Sequence, residues 1–274
     1  MRTLGQAALS KLPEYEAQNL ANTLWAFAKV YFHDAKFLGA LAIAAQRRVC
    51  QFTPQDCSNT AWALATLMMS DEGLLGALAP RVEAMLHDFK LQELTNTAWA
   101  FAKLALEDAT VFLALCSAFE TSIHEANIQD LASFAWALAA KAVSNPPLFA
   151  AIAQEAQRKM VEGTFKPQDV SNTMWAFATL SVGDVPFLFA SAACFLDCIA
   201  EACAQDLGIT AWSFATLQVH HAPLMTAISA AAARKPHIFA AQNLANIAWS
   251  FAQLSIMDQP LLDVIAHQFP QLDE

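Results

Sequence analysis

Five asparagines share one setting. Asn22, Asn59, Asn96, Asn172 and Asn246 each stand three residues before a tryptophan. An exposed amide donates and accepts hydrogen bonds at once, so a row of them suits the edges of unpaired bases. Ser133 and Ile209 take the same place in two further segments. Seven residues on stand Lys29, Thr66, Lys103, Ala140, Thr179, Thr216 and Gln253. In the first segment Asn19, Asn22, Ala26, Lys29 and His33 are spaced 3, 4, 3 and 4, which is one stripe of a helix. The small residue inside the stripe (Ala26, Ala63, Ala100, Ala137, Ala176, Ser213, Ser250) is expected to leave room above the backbone. Two explanations are open for the amides. They can bond to neighbouring helices as a ladder that fixes repeat geometry, because buried polar groups must find partners. Alternatively, they line a concave groove and meet base edges or phosphates. Variation at the Lys29 position, from Lys to Thr to Ala to Gln, resembles a code more than a structural requirement.

A second set is basic. Arg47-Arg48, Arg158-Lys159 and Arg234-Lys235 recur late in the second helix of three segments, with Arg81 slightly earlier in another. They are placed to contact phosphates, or to sit on the negative ends of their own helices. The remaining chemistry is thin. Cys194 and Cys198 are one helical turn apart with no matching histidine pair nearby, so buried thiols are expected and no metal. His220-His221 falls in a turn. No glycine-rich phosphate loop, nucleophile elbow or paired catalytic carboxylates are evident, so neither enzyme activity nor a cofactor or small-molecule substrate is expected.

These residues belong to a repeat. QNLANTLWAFAKV starts at Gln18, and related segments start at Gln55, Gln92, Gln129, Gln168, Gln205 and Gln242. Trp25, Trp62, Trp99, Trp136, Trp175, Trp212 and Trp249 are separated by 37, 37, 37, 39, 37 and 37 residues. A fixed period of this size predicts an all-α fold, a right-handed α-solenoid of about seven two-helix repeats. It would be a single array over residues 1–274, with a partial repeat (second helix only) at 1–12 and seven repeats from 13 to 274. Neither end offers a polar capping unit, so the chain is expected to be a piece of a longer array, or to have its ends covered by another domain or a partner.

In the second repeat, Thr53 fits an N-cap, Pro54 the first helical position and Asp56 the reciprocal member of a capping box. The first helix, A, then buries Cys57, Ala61, Leu64 and Leu67, with Trp62 and Ala65 widening the apolar face. Aspartate follows the tryptophan by nine residues in five repeats, ahead of helix B. Helix B opens on two bulky apolar residues, from Phe37-Leu38 through Phe112-Leu113 to Leu261-Leu262. The two extra residues of the fourth repeat are expected in a loop near Gly163. The tryptophans are expected in the core, each burying about 150–250 Å², so that Trp99→Ala would cost roughly 3–5 kcal/mol.

The formal charge is -10, which argues against a generic nucleic-acid binder. Much of that charge is accounted for by helix capping. No run of 18 uninterrupted apolar residues occurs, so no membrane span is expected. The cysteines lack a disulfide-scaffold pattern, which suits a reducing compartment, and MRTLGQAALSKLPE is unlike a secretory signal.

The core QDLxNTxWAFAKL resembles the octotricopeptide and heptatricopeptide repeat proteins and the repeat region of RAP-domain proteins, with the 37-residue spacing closest to the heptatricopeptide type. The resemblance covers essentially the whole chain, although no RAP-like segment is present. It implies an α-solenoid of mitochondria or chloroplasts that binds single-stranded RNA, a transcript or rRNA, in RNA processing, stability or translation. Seven repeats would read at most about seven nucleotides. The acidic balance favours an alternative, a protein-interaction scaffold that grips a peptide or a ribosomal partner.

Overall fold

A computed structural model describes residues 9–163, 165–234, 237 and 239–268. The seven A helices are α1 (Ala17–Lys29), α3 (Pro54–Thr66), α5 (Leu91–Lys103), α7 (Ile128–Ala140), α9 (Pro167–Thr179), α11 (Ala204–Thr216) and α13 (Ala241–Gln253). Each is 13 residues long. The B helices are α2 (Ala35–Arg48), α4 (Glu72–Ala84), α6 (Ala109–Ser122), α8 (Pro146–Glu162), α10 (Val185–Cys198), α12 (Ala222–Arg234) and α14 (Gln259–Gln268). Among the described residues there is no strand, and no helix is long and apolar enough to cross a membrane.

The chain forms two compact units, Met1–Glu125 and Ala126–Glu274. In the first, α3 packs between α1 and α5, and α4 between α2 and α6. In the second, α7, α9, α11 and α13 pack in sequence, and so do α8, α10, α12 and α14. Each unit is therefore a layer of A helices on a layer of B helices, packed in the repeating order of an α-solenoid. The expected partial repeat at 1–12 falls largely outside the described residues.

Local signals explain why each helix starts where it does. The backbone N–H of the N-cap donates to the side chain of the third helical residue in six repeats: Glu16 to Asn19, Thr53 to Asp56, Lys90 to Glu93, Asn127 to Asp130, Cys203 to Asp206 and Ala240 to Asn243, at 2.9–3.2 Å. Each B helix is capped in turn. Asp34, Asp71, Asp108, Asn145, Asp184, His221 Nδ1 and Asp258 each accept a backbone N–H from the first turn of the helix that follows.

The end of every A helix uses a device the sequence did not reveal. Tyr31, Met68, Ala105, Ala142, Ser181, Gln218 and Ser255 all have φ between 49° and 56°. Around Met68 the bonds are Met68 N–H to Ala65 O and Met69 N–H to Leu64 O, the pattern of a Schellman motif. No repeat places glycine there, so each pays the steric penalty of the left-handed conformation.

Two expectations about packing are corrected. In the third repeat the bulky pair opening helix B is Val111-Phe112, and Leu113 is 58% exposed, because the register counted from Trp99 falls one residue earlier. The fourth repeat absorbs its insertion partly as helix: α8 has 17 residues where α2, α6 and α10 have 14.

The core lies between the layers. Phe177 of α9 is buried, edge-on to Phe149 at 4.9 Å and stacked on Phe187 at 4.3 Å. Between A helices the contact is made by small residues. Ala63, Ala100, Ala137, Ala176, Ser213 and Ser250 are fully buried, as are Ala28, Ala65 and Ala215. They do not leave room above the backbone. They are packed within the fold, and only Ala26 at this position is exposed.

Candidate nucleic-acid interface

With the small residues buried, the open face of each A helix is turned slightly from the expected stripe. It runs through Gln55, Asn59, Trp62 and Thr66 in α3, spaced 4, 3 and 4, and through the same positions of the other repeats. The tryptophans therefore belong to the surface stripe. Trp25 is 39% exposed and Trp249 45%, and the other five are half-buried. The residue two positions on is the core anchor instead: Leu64, Phe101, Leu138, Phe177, Phe214 and Phe251 are buried. The expectation that tryptophan lies wholly in the core is corrected in part: Trp25 and Trp249 are exposed, and the other five bury most of the ring while keeping part of it accessible. A signal for this was present, because Asn22, Trp25 and Lys29 are spaced 3 and 4 and so share one face.

The candidate asparagines are accessible. Asn22 is exposed, and Asn59, Asn96, Asn172 and Asn246 are half-buried, as are Ser133 and Ile209. Among the described residues, none of the five asparagine side chains forms a hydrogen bond, so no amide ladder joins the repeats. Hydrogen bonds that do join repeats come from elsewhere: Ser171 to Asp206 at 3.3 Å and Ser229 to Asp258 at 2.7 Å.

At the neighbouring position, Lys29 holds its ammonium 5.4 Å from the ring centre of Trp25 and 5.3 Å from that of Trp62. Lys103 lies 4.7 Å from Trp99. Thr179 and Gln253 are exposed. Thr66 and Thr216 turn their hydroxyls inward, where these atoms are buried and unpartnered, so meeting a ligand would require a change of rotamer.

Glutamine is the residue that sequence reasoning passed over. Gln18, Gln55, Gln92, Gln129, Gln168, Gln205 and Gln242 open the stripe in all seven repeats, and all are exposed. Only Trp, this Gln and the alanine three residues after the Trp are invariant across the repeats. The alanine is buried in six of them by A-helix packing. The glutamine, exposed in all seven repeats, has no comparable burial, and the tryptophan is only partly buried.

The electrostatics of the stripe differ from those of the whole chain. From the fourth residue of each A helix to its end there is no Asp or Glu in any repeat. The acids stand at helix starts, in A–B turns and on or after B helices, and the caps occupy many of them. Asp206 is buried between its capping bond and Ser171.

The basic pairs behave differently. Arg158 Nε donates to Glu155 at 3.1 Å and Lys159 lies 3.7 Å from the same carboxylate, which Arg158 holds below the usual carboxylate range. Arg48 donates to the Pro13 carbonyl at 3.3 Å, and Arg81 donates twice to that of Phe52. Arg47 and Arg234 are exposed, and Lys235 lies outside the described residues. Arg48, Arg158 and Lys159 thus already serve the fold. Burial pushes the Cys57 and Cys194 thiols up to about 12 and Cys116 and Cys198 to about 11, which keeps them protonated and unreactive. Among the described residues no group of three or more His, Cys, Asp or Glu side chains is arranged to hold a metal.

Residues 1–144 match the family of RNA-editing substrate-binding complex 6 proteins, a span of just over half the chain. The chain belongs to this family. No curated protein matches it. For a member of the RNA-editing substrate-binding complex 6 family, an RNA-related helical-repeat protein is the reading that fold and match share. The match covers the first three repeats and α7 of the fourth. The Gln–Trp stripe continues unchanged through the three repeats beyond it.

Proposed function

We propose that this chain is a non-catalytic single-stranded RNA-binding repeat protein acting in RNA editing, with the open stripe of its A helices as the RNA surface. One observation carries the reading. In each unit the A helices carry an acid-free stripe of accessible amides and partly accessible indoles, with two lysines in the first unit, and no asparagine of the stripe is committed to the fold. Amides meet base edges, and lysines meet phosphates. The family supports an assembly on RNA-editing substrates, in which protein neighbours accompany the RNA.

The heptatricopeptide likeness is retained as the finer assignment, and with it sequence selectivity and a mitochondrial location. The family gives the chloroplast no support. Any RNA processing, stability or translation role is narrowed to steps that accompany editing.

Selection from a random single-stranded RNA pool at physiological salt tests the reading. Enrichment is expected, and combined alanine substitution of Asn59, Asn96 and Lys103 is expected to weaken the selected RNA at least about tenfold, given roughly 1–3 kcal/mol per good base contact. No enrichment, with capture of a protein partner unaffected by those substitutions, would establish the scaffold reading instead.

A further inference from the structure

We infer that the tryptophans are base-stacking platforms and that the glutamines beside them hold the strand in place, an assignment that rests on the RNA-binding reading above. The indole is the least economical residue for a surface position, because exposing it forgoes its large burial gain. All seven repeats nevertheless keep it at an accessible position, while the core anchor two residues on alternates between Leu and Phe. An invariant indole that stays partly accessible in every repeat offers a ligand a repeated aromatic surface.

The spacing fits such a ligand. Lys29 occupies a slot between two successive indoles, with its ammonium 5.4 and 5.3 Å from their centres. Aromatic rings pair at centroid separations of about 4.5–7 Å, so a base entering this slot would meet the indoles at stacking distance. The displaced ammonium would then reach the phosphate of the same nucleotide. Lys103 is placed over Trp99 for the same exchange.

In the second unit, where Ala140 stands at the Lys29 position, Trp136 and Trp175 approach to 6.1 Å at 25°. Their stack already shows the geometry that a base would extend. The glutamines lie seven residues before the tryptophans, two helical turns along the same face, with amides free for phosphate, sugar or base.

Stacking tolerates any base, since each has a π-face. The ligand class is therefore unpaired RNA bound with little sequence preference along the tryptophan column. Selectivity, where present, is left to the variable Asn and Lys positions.

The test uses the intact chain with oligoadenylate, oligouridylate and a duplex of equal length. Bound single strands should quench tryptophan emission and protect it from iodide, and the two homopolymers should bind within about tenfold of each other. Trp62→Leu and Trp99→Leu should each weaken binding at least about fivefold with helical content unchanged, while Trp62→Phe keeps most of the affinity. Gln55→Ala with Gln92→Ala, both on the surface, should weaken binding less. If the wild-type chain binds none of these RNAs, the RNA-binding reading falls and this inference with it. If it binds them with no change in emission, or equally well after Trp→Leu, stacking alone is overturned. The emission of the wild-type chain decides the matter even if a Leu variant fails to fold.

Discussion

The indoles of Trp136 and Trp175, one repeat apart, stack with ring centres 6.1 Å apart and planes 25° from parallel. Both rings are half-buried, on the face of α7 and α9 that also carries Ser133 and Asn172. That placement separates two positions: Leu138 and Phe177 are fully buried, while the indoles two residues earlier stay partly accessible.

The separation has an energetic consequence. Trp175→Ala, at a half-buried ring, should cost less than Phe177→Ala, two residues away and fully buried, which should cost about 3–5 kcal/mol through its cavity. Urea unfolding of the two variants compares them directly. Equal losses would return the tryptophan to the core.

The left-handed residues after each A helix are a second target. Met68 at φ 53° and Gln218 at φ 55° are exposed and carry a Cβ that glycine would lack. Met68→Gly and Gln218→Gly should each stabilise by about 1 kcal/mol, raising Tm by about 2 °C. Calorimetry showing a loss in both would contradict the strain argument.

The sixth repeat caps its B helix with an imidazole. His221 Nδ1 accepts the Leu224 N–H at 3.2 Å, where five repeats use aspartate. His221→Asp should hold or raise stability at neutral pH, since a carboxylate also favours the helix start, while His221→Ala should cost about 1 kcal/mol. The imidazole also meets Phe189 and Phe214 edge-on, at 5.0 and 6.0 Å, and its removal would lose those contacts. Thermal melts that rank Ala above Asp would refute the cap.

The stripe carries few cations, so its RNA affinity should depend weakly on salt. With two or three phosphates neutralised, the logarithm of affinity should fall with the logarithm of salt at a slope of about −1.4 to −2.1. Lys29→Ala and Lys103→Ala should each make it shallower by about 0.7. A slope several times steeper would place the RNA on the basic B-helix ends instead.

The repeat, the helix pairs and the caps were legible because each has a one-residue signature. Asp56 bonds to the Thr53 N–H, and Asp71 caps α4, as their spacing implies. Of the cysteines expected as buried thiols, Cys194 is buried, Cys198 is half-buried and Cys203 is exposed. The Schellman turns were hidden because nothing marks Met68 or Gln218 as left-handed when glycine is absent. The exposed stripe was misplaced by about one position because Ala63 and its counterparts read as open space. A small residue in a solenoid marks a helix–helix contact as readily as a gap, and only packing distinguishes them. Gln55 and its counterparts were missed because a polar residue early in a helix is ordinary in any single repeat; the signal lay in its sevenfold recurrence.

The central claim is that RNA lies along the open face of the A helices. Ultraviolet crosslinking of the wild-type chain to single-stranded RNA, followed by sequencing of the modified peptides, tests it most directly. Adducts should concentrate in the segments from Gln55 to Thr66, Gln92 to Lys103 and Gln168 to Thr179. Adducts confined to the B helices, around Arg47, Arg158 or Arg234, would contradict it.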